Sequence, residues 1–552
     1  MEQKTIGYII GGSLKEGFLV RLTVPADEVQ EGGFVVVQSG NYKFYGLITN
    51  LRLGATDPRF AENKNELRLQ KDLAVLLHGQ TLYTELEILP ALMQKVGPEP
   101  GTPEFIQYKG SVDSVPIPVK TLPVHHAPVR TADAFDVGEI FGNPDEKSKL
   151  TIGLTREQNH PVAIDMDKFV QRSSGIFGAT GTGKSYLTRL ILAGLIHSRQ
   201  ASVLVFDMHN EYAFGDVSPD TNVRVPGLKD RLGSQVKVCA LGRGTVINKF
   251  HPDFDLVIEQ RDVLPEEIEM LSRELNLKET TANTLAALVN TFGENGWFKS
   301  FMELKSGDEE DSLSEWAEKS NINLLAADAL RSKLTRVYNK PYIIEKAPVN
   351  CVQQIIDTLQ SGCSVVLSFG KYESDLDYLL VTNILTRKIR EAWEKKTNDY
   401  HGGSGTRPTP LVIAVEEAHK LLNREMAAQT SFAVIAREMR KYFVTLLVID
   451  QRPSQIYDEV MSQLGTRISG WLGDDADISA VLSGLAGREA LRGMLSRLQP
   501  KEEVLLLGYG IPMPLPVRSR RYDEQFWKEL LKDDASKKFN KNQPDWMFDE
   551  RN

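Results

Sequence analysis

The stretch Gly178-Ala179-Thr180-Gly181-Thr182-Gly183-Lys184-Ser185 decides the fold of this 552-residue chain, because it matches the phosphate-binding pattern GxxxxGK[ST] at every fixed position. Gly175-Ile176-Phe177 before it is typical of a strand, and residues 186–196 after it are typical of a helix. In such a loop, glycines let consecutive backbone N–H groups surround phosphate oxygens at a helix N-terminus. The alternative, an unrelated glycine-rich turn, does not call for both flanking elements. The stretch therefore predicts an ATP-binding P-loop domain.

The residues of this loop have separate predicted roles. Lys184 is expected to reach the β- and γ-phosphates of ATP, and the Ser185 hydroxyl is expected to ligate Mg²⁺. The loop and the first residues of the helix would hold the nucleotide, which gives a predicted contact set of Thr180, Gly181, Thr182, Gly183, Lys184, Ser185 and Tyr186.

A second apolar strand, at residues 411–415, ends in two carboxylates, Glu416 and Glu417. The carboxyl ends of strands are where parallel α/β sheets place ligand chemistry. We assign Glu416 to the Mg²⁺ ion and its water shell, and Glu417 to polarising the water that attacks the γ-phosphate. The alternative is that both acids are solvated residues of a first helical turn, where acidic side chains are also favoured.

Two further strands end in polar residues that we predict to be catalytic. The strand at residues 203–206 leads into Asp207, which lies beside the phosphate site if its strand neighbours the P-loop strand. The strand at residues 445–449 leads towards Gln451, a side chain placed to contact the γ-phosphate and to report its loss.

Changes of pattern along the chain predict its domain organisation. Short strand-like runs separated by Gly, Asn and Asp favour a small barrel or sandwich at the start. Alternating strands and helices further on favour a parallel α/β sheet, which a run of helices interrupts. The predicted parts are an N-terminal β-barrel at 1–110, a connector at 111–164, the first part of a RecA-like P-loop core at 165–255, a helical insertion at 256–346, the second part of the core at 347–521 and an exposed C-terminal tail at 522–552.

The composition limits the environment and the partners. A net charge of -9 argues against a large exposed basic surface for DNA. In a ring, one or two basic residues per subunit would still form a collar for phosphate contact. Three widely spaced cysteines predict neither disulfides nor a metal site. Because the start lacks the plan of a signal peptide and no apolar run is long enough to cross a bilayer, we expect a cytoplasmic protein without membrane attachment.

The order of the motifs resembles that of HerA-type hexameric DNA translocases, in the HerA/FtsK branch of bacterial and archaeal P-loop ATPases. The N-terminal β-rich part looks like the small barrel of that family, the HAS barrel. Met439 departs from the pattern, because the family more often has Gly there. The resemblance rests on the P-loop, residues 207–212, Glu416-Glu417-Ala418-His419, residues 435–442, Gln451-Arg452-Pro453-Ser454, residues 32–37 and residues 45–48.

The resemblance implies ATP hydrolysis with Mg²⁺, a homohexamer, sequence-independent contact with double-stranded DNA, and a partner that is a NurA-type nuclease or an anti-phage effector. The sequence supports a ring independently, because a single P-loop core needs an arginine from a neighbouring subunit. Arg437 and Arg440 are the candidates for this arginine, with surface ion pairs as the alternative role. The resemblance also implies nucleotide contacts from Arg172, Arg521 and Tyr522.

Two functions remain open from the sequence. In the first, a hexameric motor hydrolyses ATP to move duplex DNA through its pore, as a translocase or helicase in DNA repair or antiviral defence. In the second, the hexamer is an ATP-regulated scaffold that assembles and activates an effector protein with little processive translocation. The acidic composition slightly favours dependence on protein partners. An FtsK-like or conjugative DNA pump fits less well, because of the barrel and the lack of membrane segments.

Overall fold

The computed structural model of the protein describes residues 4–56, 82–217, 224–307, 310–426 and 431–532. The chain divides into two compact units, each assembled from several stretches of sequence. The first comprises Met1–Asp165, Phe177–Lys184 and Gly465–Arg520; the second comprises Met166–Ile176, Ser185–Leu464 and Arg521–Asn552. Among the helices of the described ranges, none is long and apolar enough to span a membrane.

A closed β-barrel forms the N-terminal part of the first unit. In the strand Gly17–Leu22, the buried side chains of Phe18, Val20 and Leu22 alternate with partly buried ones. The barrel closes because this strand pairs with strands on both sides. The order is Gly17–Leu22, Thr5–Ser13, Pro128–Thr131, Phe34–Ser39, Tyr42–Ala55 and Leu82–Lys95, and the short strand Ile117–Pro118 pairs with the last of these. The predicted small barrel is confirmed.

An antiparallel ladder completes the β-structure of the first unit. Arg156 links it to the barrel, because its guanidinium donates to the Glu31 carbonyl at 2.8 Å and pairs with Glu503 at 2.7 Å. The segment 111–164, which we expected to be a connector, contributes strands to both sheets. The ladder order is Thr466–Ser469, Glu503–Gly508, Leu515–Ser519, Lys149–Thr155 and Pro161–Asp165. The helices of this unit are Pro103–Lys109, Ala134–Phe141, Asp475–Val481 and Arg488–Ser496.

A largely parallel sheet is the centre of the second unit. Its middle strands are buried at every position, as strands covered on both faces must be. The strand order is Phe254–Leu256, Val236–Leu241, Ser364–Ser368, Ser202–Asp207, Leu411–Glu416, Val444–Asp450 and Ser174–Phe177. The strand that leads into the P-loop therefore lies beside Val444–Asp450, which in turn pairs in parallel with Leu411–Glu416. The predicted α/β P-loop fold class is confirmed.

Helices alternate with these strands and also form a separate group. The helices of the alternating part are Met166–Val170, Lys184–Ser198, Leu228–Leu232, Cys351–Gln360, Asp375–His401, His419–Leu422, Ser431–Glu438 and Asp458–Gln463. The separate group consists of Pro265–Met270, Thr281–Phe292, Trp297–Glu303, Leu313–Lys319 and Leu324–Tyr338. Its core contains Trp297, Phe298, Phe301 and Trp316. A short parallel pairing of Ile258–Glu259 with Ile343–Ile344 joins the two ends of this group.

The segment that we expected to be an exposed tail from residue 522 begins instead with packed structure. Glu524–Leu530 is a helix, and the Asp523 side chain caps it by accepting from the Phe526 N–H at 2.9 Å. Phe526 and Trp527 are both buried. The high Lys, Asp and Asn content of the whole segment obscures this short amphipathic helix. Residues 533–552 of the expected tail lie outside the described part of the chain.

Candidate functional site

The P-loop is held by hydrogen bonds within the loop and by hydrogen bonds to other residues of the first unit. The Thr182 hydroxyl donates to the Ala179 carbonyl at 2.7 Å, and the Ala179 N–H donates to the Trp471 carbonyl at 3.1 Å. The Lys501 N–H donates to the Thr182 carbonyl at 3.2 Å. These bonds fix the base of the loop, while Thr180 and Gly181 at its tip are exposed.

Two glycines of the P-loop occupy positions where a larger residue would be strained. Gly178 has a φ of 158°, and a Cβ there would lie 2.7 Å from the Thr182 hydroxyl oxygen. Gly183 has a φ of 88°, in the left-handed region that favours glycine. The helix Lys184–Ser198 begins directly after it. The first N–H groups of a helix have no partner within the helix, and its N-terminal end carries the positive end of the helix dipole, so such an end is suited to an anion, as the motif predicts.

In the second unit, Glu416 is fixed by two tyrosines. It is 7% exposed, and the Tyr212 hydroxyl donates to its Oε1 atom. The Tyr378 hydroxyl donates to the Glu416 backbone carbonyl at 2.8 Å. Burial, followed by the proximity of Glu416, raises the pKa of both phenols well above the ordinary value, so they stay neutral donors. Glu416 is therefore a buried carboxylate with a defined orientation.

The structure brings Glu417 and Gln451 together. The Gln451 Nε2 atom donates to Glu417 Oε2 at 3.3 Å. Glu417 has a φ of 46°, in the left-handed region that non-glycine residues rarely occupy. Such conformations persist where surrounding contacts hold them, and they are frequent at active sites. The two residues stand at the ends of neighbouring parallel strands, so the sheet itself places the proposed water-activating group beside the proposed phosphate sensor.

The Asp207 carboxylate is hydrogen-bonded to the backbone of the residues that follow it. Asp207 is fully buried, and its carboxylate accepts the N–H groups of Glu211 at 2.8 Å, Tyr212 at 2.9 Å and Ala213 at 3.3 Å. Burial raises the pKa of Asp207 to about 6, although these three bonds lower it. Both carboxylate oxygens are engaged in this turn. A contribution of Asp207 to catalysis would therefore be indirect, through the position of Tyr212 on Glu416.

The predicted set of site residues did not include His419 and Asp450, which join the same cluster. His419 Nδ1 lies 3.0 Å from Asp450 Oδ2 and 3.7 Å from Glu417 Oε2. The hydrogen bond with Asp450 raises the pKa of His419, against the effect of burial. Burial alone would raise the pKa of Asp450, but the bonds from His419 and the backbone lower it overall. The sequence signal was present: a histidine three residues after Glu416, and an acid at the end of the next strand.

The two arginines proposed to act on a neighbouring subunit do not share one α-helical face. The α-helix Ser431–Glu438 carries Arg437, whereas Arg440 lies in the 3₁₀ turn Met439–Tyr442 that follows. Arg437 forms an ion pair with Glu459 at 3.4 Å, and both side chains are substantially exposed. Exposed pairs of this kind contribute little stability, so Arg437 can be released to another anion at small cost. Arg440 is exposed as well.

The residues that the resemblance assigned to the nucleotide lie in different surroundings. Arg172 and Arg521 are exposed, whereas Tyr522 is buried and its hydroxyl donates to the Pro226 carbonyl at 3.0 Å. Burial raises the pKa of Tyr522, and the positive charge of Arg189 on the P-loop helix opposes this rise. Arg189 also lies 5.7 Å from the centre of the Tyr186 ring. Tyr186 and Tyr522 are thus both neighbours of one cation.

The donor set of the second unit fits Mg²⁺ bound with a nucleotide. The Ser185 hydroxyl and the Glu416 carboxylate are hard oxygen ligands, and Mg²⁺ typically takes one or two carboxylates together with substrate phosphates. In the described ranges, no group of three or more His, Cys, Asp and Glu side chains is placed to hold a metal ion without such a substrate. An ion at this site would supply positive charge to phosphate oxygens, in the way that P-loop enzymes use it.

Comparison with known proteins identifies what the chain is similar to. Residues 150–389 match the family model described as "Helicase HerA, central domain", and residues 6–79 match the HAS barrel domain. The curated protein "DNA double-strand break repair helicase HerA" of Sulfolobus acidocaldarius is 24% identical over 526 residues, which cover 94% of each chain. The protein of that name from Saccharolobus solfataricus is 24% identical over 525 residues, covering 93% of this chain and 91% of its own. The solved structure of VirB4 of Thermoanaerobacter pseudethanolicus is 14% identical, covering 69% of this chain and 99% of its own with a TM-score of 0.43.

Proposed function

We propose that this chain is a HerA-type P-loop ATPase, an ATP-driven translocase that moves double-stranded DNA as a homohexamer. The observation that carries the proposal is the match over 94% of both chains to a protein named for DNA double-strand break repair, with the barrel and the central domain in the same order. We further propose that it delivers DNA to a partner nuclease of the NurA type or to an anti-phage effector.

The proposed hydrolysis uses ATP and Mg²⁺. Lys184 and the loop backbone would hold the phosphates, and Ser185 with Glu416 would hold the Mg²⁺ ion, which neutralises charge as the bond to the γ-phosphate breaks. Glu417 would orient the attacking water and take its proton. Gln451 would contact the γ-phosphate, and its 3.3 Å bond to Glu417 supports a direct link between phosphate loss and the water-activating group.

The proposed ring would complete the site of each subunit. P-loop ATPases use an arginine, from the same chain or from a neighbour, to stabilise the charge on the transferring phosphoryl group, and we propose that a neighbouring subunit supplies it here. Arg437 and Arg440 are exposed and suit this role. In a hexamer, one or two cations per subunit repeat six times around the pore. Such a collar would contact the DNA backbone irrespective of sequence and is compatible with a net charge of -9.

The test is the steady-state ATPase rate of the purified protein alone, with linear duplex DNA and with single-stranded DNA, at low salt. Lys184→Ala is the control and should abolish turnover. Strong stimulation by duplex, together with displacement of a bound third strand from the duplex, is the expected result for a translocase. A rate that ignores DNA at a salt concentration where DNA binds would contradict the motor and favour the scaffold that assembles an effector.

A further inference from the structure

The backbone next to Glu417 is hydrogen-bonded to the neighbouring strand Val444–Asp450. The Ala418 N–H donates to the Ile449 carbonyl at 3.4 Å, and the Lys420 N–H donates to the Glu417 carbonyl at 2.8 Å. These bonds hold Glu417 in its left-handed conformation, with a φ of 46°. The backbone is therefore fixed, but the direction of the carboxylate depends on its side-chain neighbours.

Asp450 ties together the ends of two strands. It is fully buried, and its Oδ2 atom accepts the His419 N–H at 2.7 Å. The Arg452 N–H donates to Oδ1 at 2.7 Å. The same carboxylate takes the His419 ring, with Nδ1 at 3.0 Å from Oδ2. One buried side chain thus fixes the turn after the Glu416 strand, the turn that carries Gln451, and the plane of the His419 ring.

Gln451 and His419 both lie near the Glu417 Oε2 atom. Gln451 Nε2 lies at 3.3 Å and His419 Nδ1 at 3.7 Å. The same Nδ1 atom lies 3.0 Å from Asp450 Oδ2, so one nitrogen of the imidazole faces two carboxylates, and the His419 side chain remains 20% exposed. A histidine that only fills the core has no reason to face a second carboxylate at the rim of the site. A group that activates water must be aimed closely, because a misplacement of about 1 Å costs on the order of 100-fold in rate.

We infer that His419, held by Asp450, is a positioning residue for ATP hydrolysis, which directs the Glu417 carboxylate towards the attacking water. The inference rests on the ATPase activity and on the role proposed for Glu417. It does not rest on movement along DNA. A protein that hydrolyses ATP without responding to DNA would leave it fully testable, and inactivity of the Lys184→Ala control separates true turnover from a contaminant.

Three substitutions at one position distinguish positioning from packing. His419→Ala removes the ring. His419→Asn places an amide near the position of Nδ1, so it can still donate to Asp450. His419→Gln places its amide near the position of Nε2 and loses that bond. Lys420→Ala is the matched control, because it lies on the same turn and its side chain pairs with Asp375 at 2.7 Å, away from the cluster.

The measurements are kcat and KM for ATP, the affinity for a fluorescent ATP analogue, and the melting temperature of each variant. We expect His419→Ala and His419→Gln to lower kcat by about 10- to 100-fold, with affinity for the analogue within about threefold of the parent. His419→Asn should recover most of the lost kcat, and Lys420→Ala should retain the parent kcat. The melting temperatures should not follow this order.

Two outcomes would overturn the inference. One is a kcat of His419→Ala within about threefold of the parent. The other is a loss of kcat in all four variants that follows their loss of melting temperature, because that pattern marks a structural residue. A double variant with Gln451→Ala adds an independent check. If both residues aim the same carboxylate, the combined loss in kcat is smaller than the product of the single losses, and a strictly multiplicative loss speaks against a shared target.

Discussion

The Asp207→Asn variant should change the pH dependence of stability in a defined direction. Burial raises the pKa of Asp207 from 3.8 to about 6 in the folded chain. An acid whose folded pKa lies above its unfolded value binds its proton more tightly when folded. Ionising it therefore costs stability, and this cost builds up as the pH rises from about 4 to about 6. A difference of about two pKa units corresponds to about 3 kcal/mol.

The variant removes this titration and retains part of the hydrogen bonding. An asparagine oxygen can still accept the N–H groups of Tyr212 and Ala213, which share Oδ2 in the parent, but an amide NH₂ group then faces the N–H of Glu211. Leaving that one buried donor unsatisfied costs about 1–3 kcal/mol at any pH. The variant should thus be less stable than the parent at pH 4 and close to it at pH 7, where the parent carries a buried charge.

The assay compares the melting temperatures of parent and variant at pH 4, 5, 6 and 7. Other carboxylates titrate equally in both proteins and cancel in the difference. For the second unit, of roughly 320 residues, a change of about 3 kcal/mol corresponds to about 4 °C. We expect the variant to gain about this much on the parent between pH 4 and pH 7. A difference that stays constant within about 1 °C, or that widens against the variant, would refute the argument from burial.

Other predictions concern the active cluster. Glu417→Gln should bind ATP with unchanged affinity and lower kcat by about 10²- to 10⁴-fold in single-turnover measurements; rapid turnover would move the water-activating role to another residue. Tyr212→Phe removes the hydroxyl that donates to Glu416, so we expect a higher Mg²⁺ concentration for half-maximal ATPase activity, and an unchanged Mg²⁺ titration would contradict this. If Arg437 or Arg440 acts in a neighbouring subunit, its Ala variant should regain ATPase activity when mixed with P-loop lysine variant subunits. Absence of rescue for both would favour surface ion pairs.

The sequence predicts the elements of the site that depend on residues close together in the chain. The P-loop needs eight consecutive residues, and the acidic strand end needs five apolar positions followed by two carboxylates. Both are visible because a fixed spacing and a flanking element occur together. The contact between Glu417 and Gln451 can be predicted only once the two strands are known to be neighbours. The structure shows that they are, because Glu416 pairs with Ile449.

The parts that the sequence did not reveal depend on contacts between distant segments. His419 and Asp450 are 31 residues apart and meet only because their strands are parallel neighbours. The segment 111–164 was expected to be a connector because residues 97–130 contain repeated prolines and the pair His125-His126. Its strand Pro128–Thr131 gains its partners from residues near the start of the chain. No local pattern encodes pairings of this range.

The register of the central strands explains how phosphate loss could reach the water-activating group. Because Glu416 pairs with Ile449, the residues that follow these two strands lie close together just beyond their last paired residues. Gln451 then touches Glu417 directly, while Asp450 reaches the same carboxylate through His419. A displacement of Gln451 by the departing γ-phosphate would act on Glu417 along the first route while the second keeps it in place. Removing Gln451 alone should therefore leave Glu417 partly aimed, and only the loss of both routes should release it.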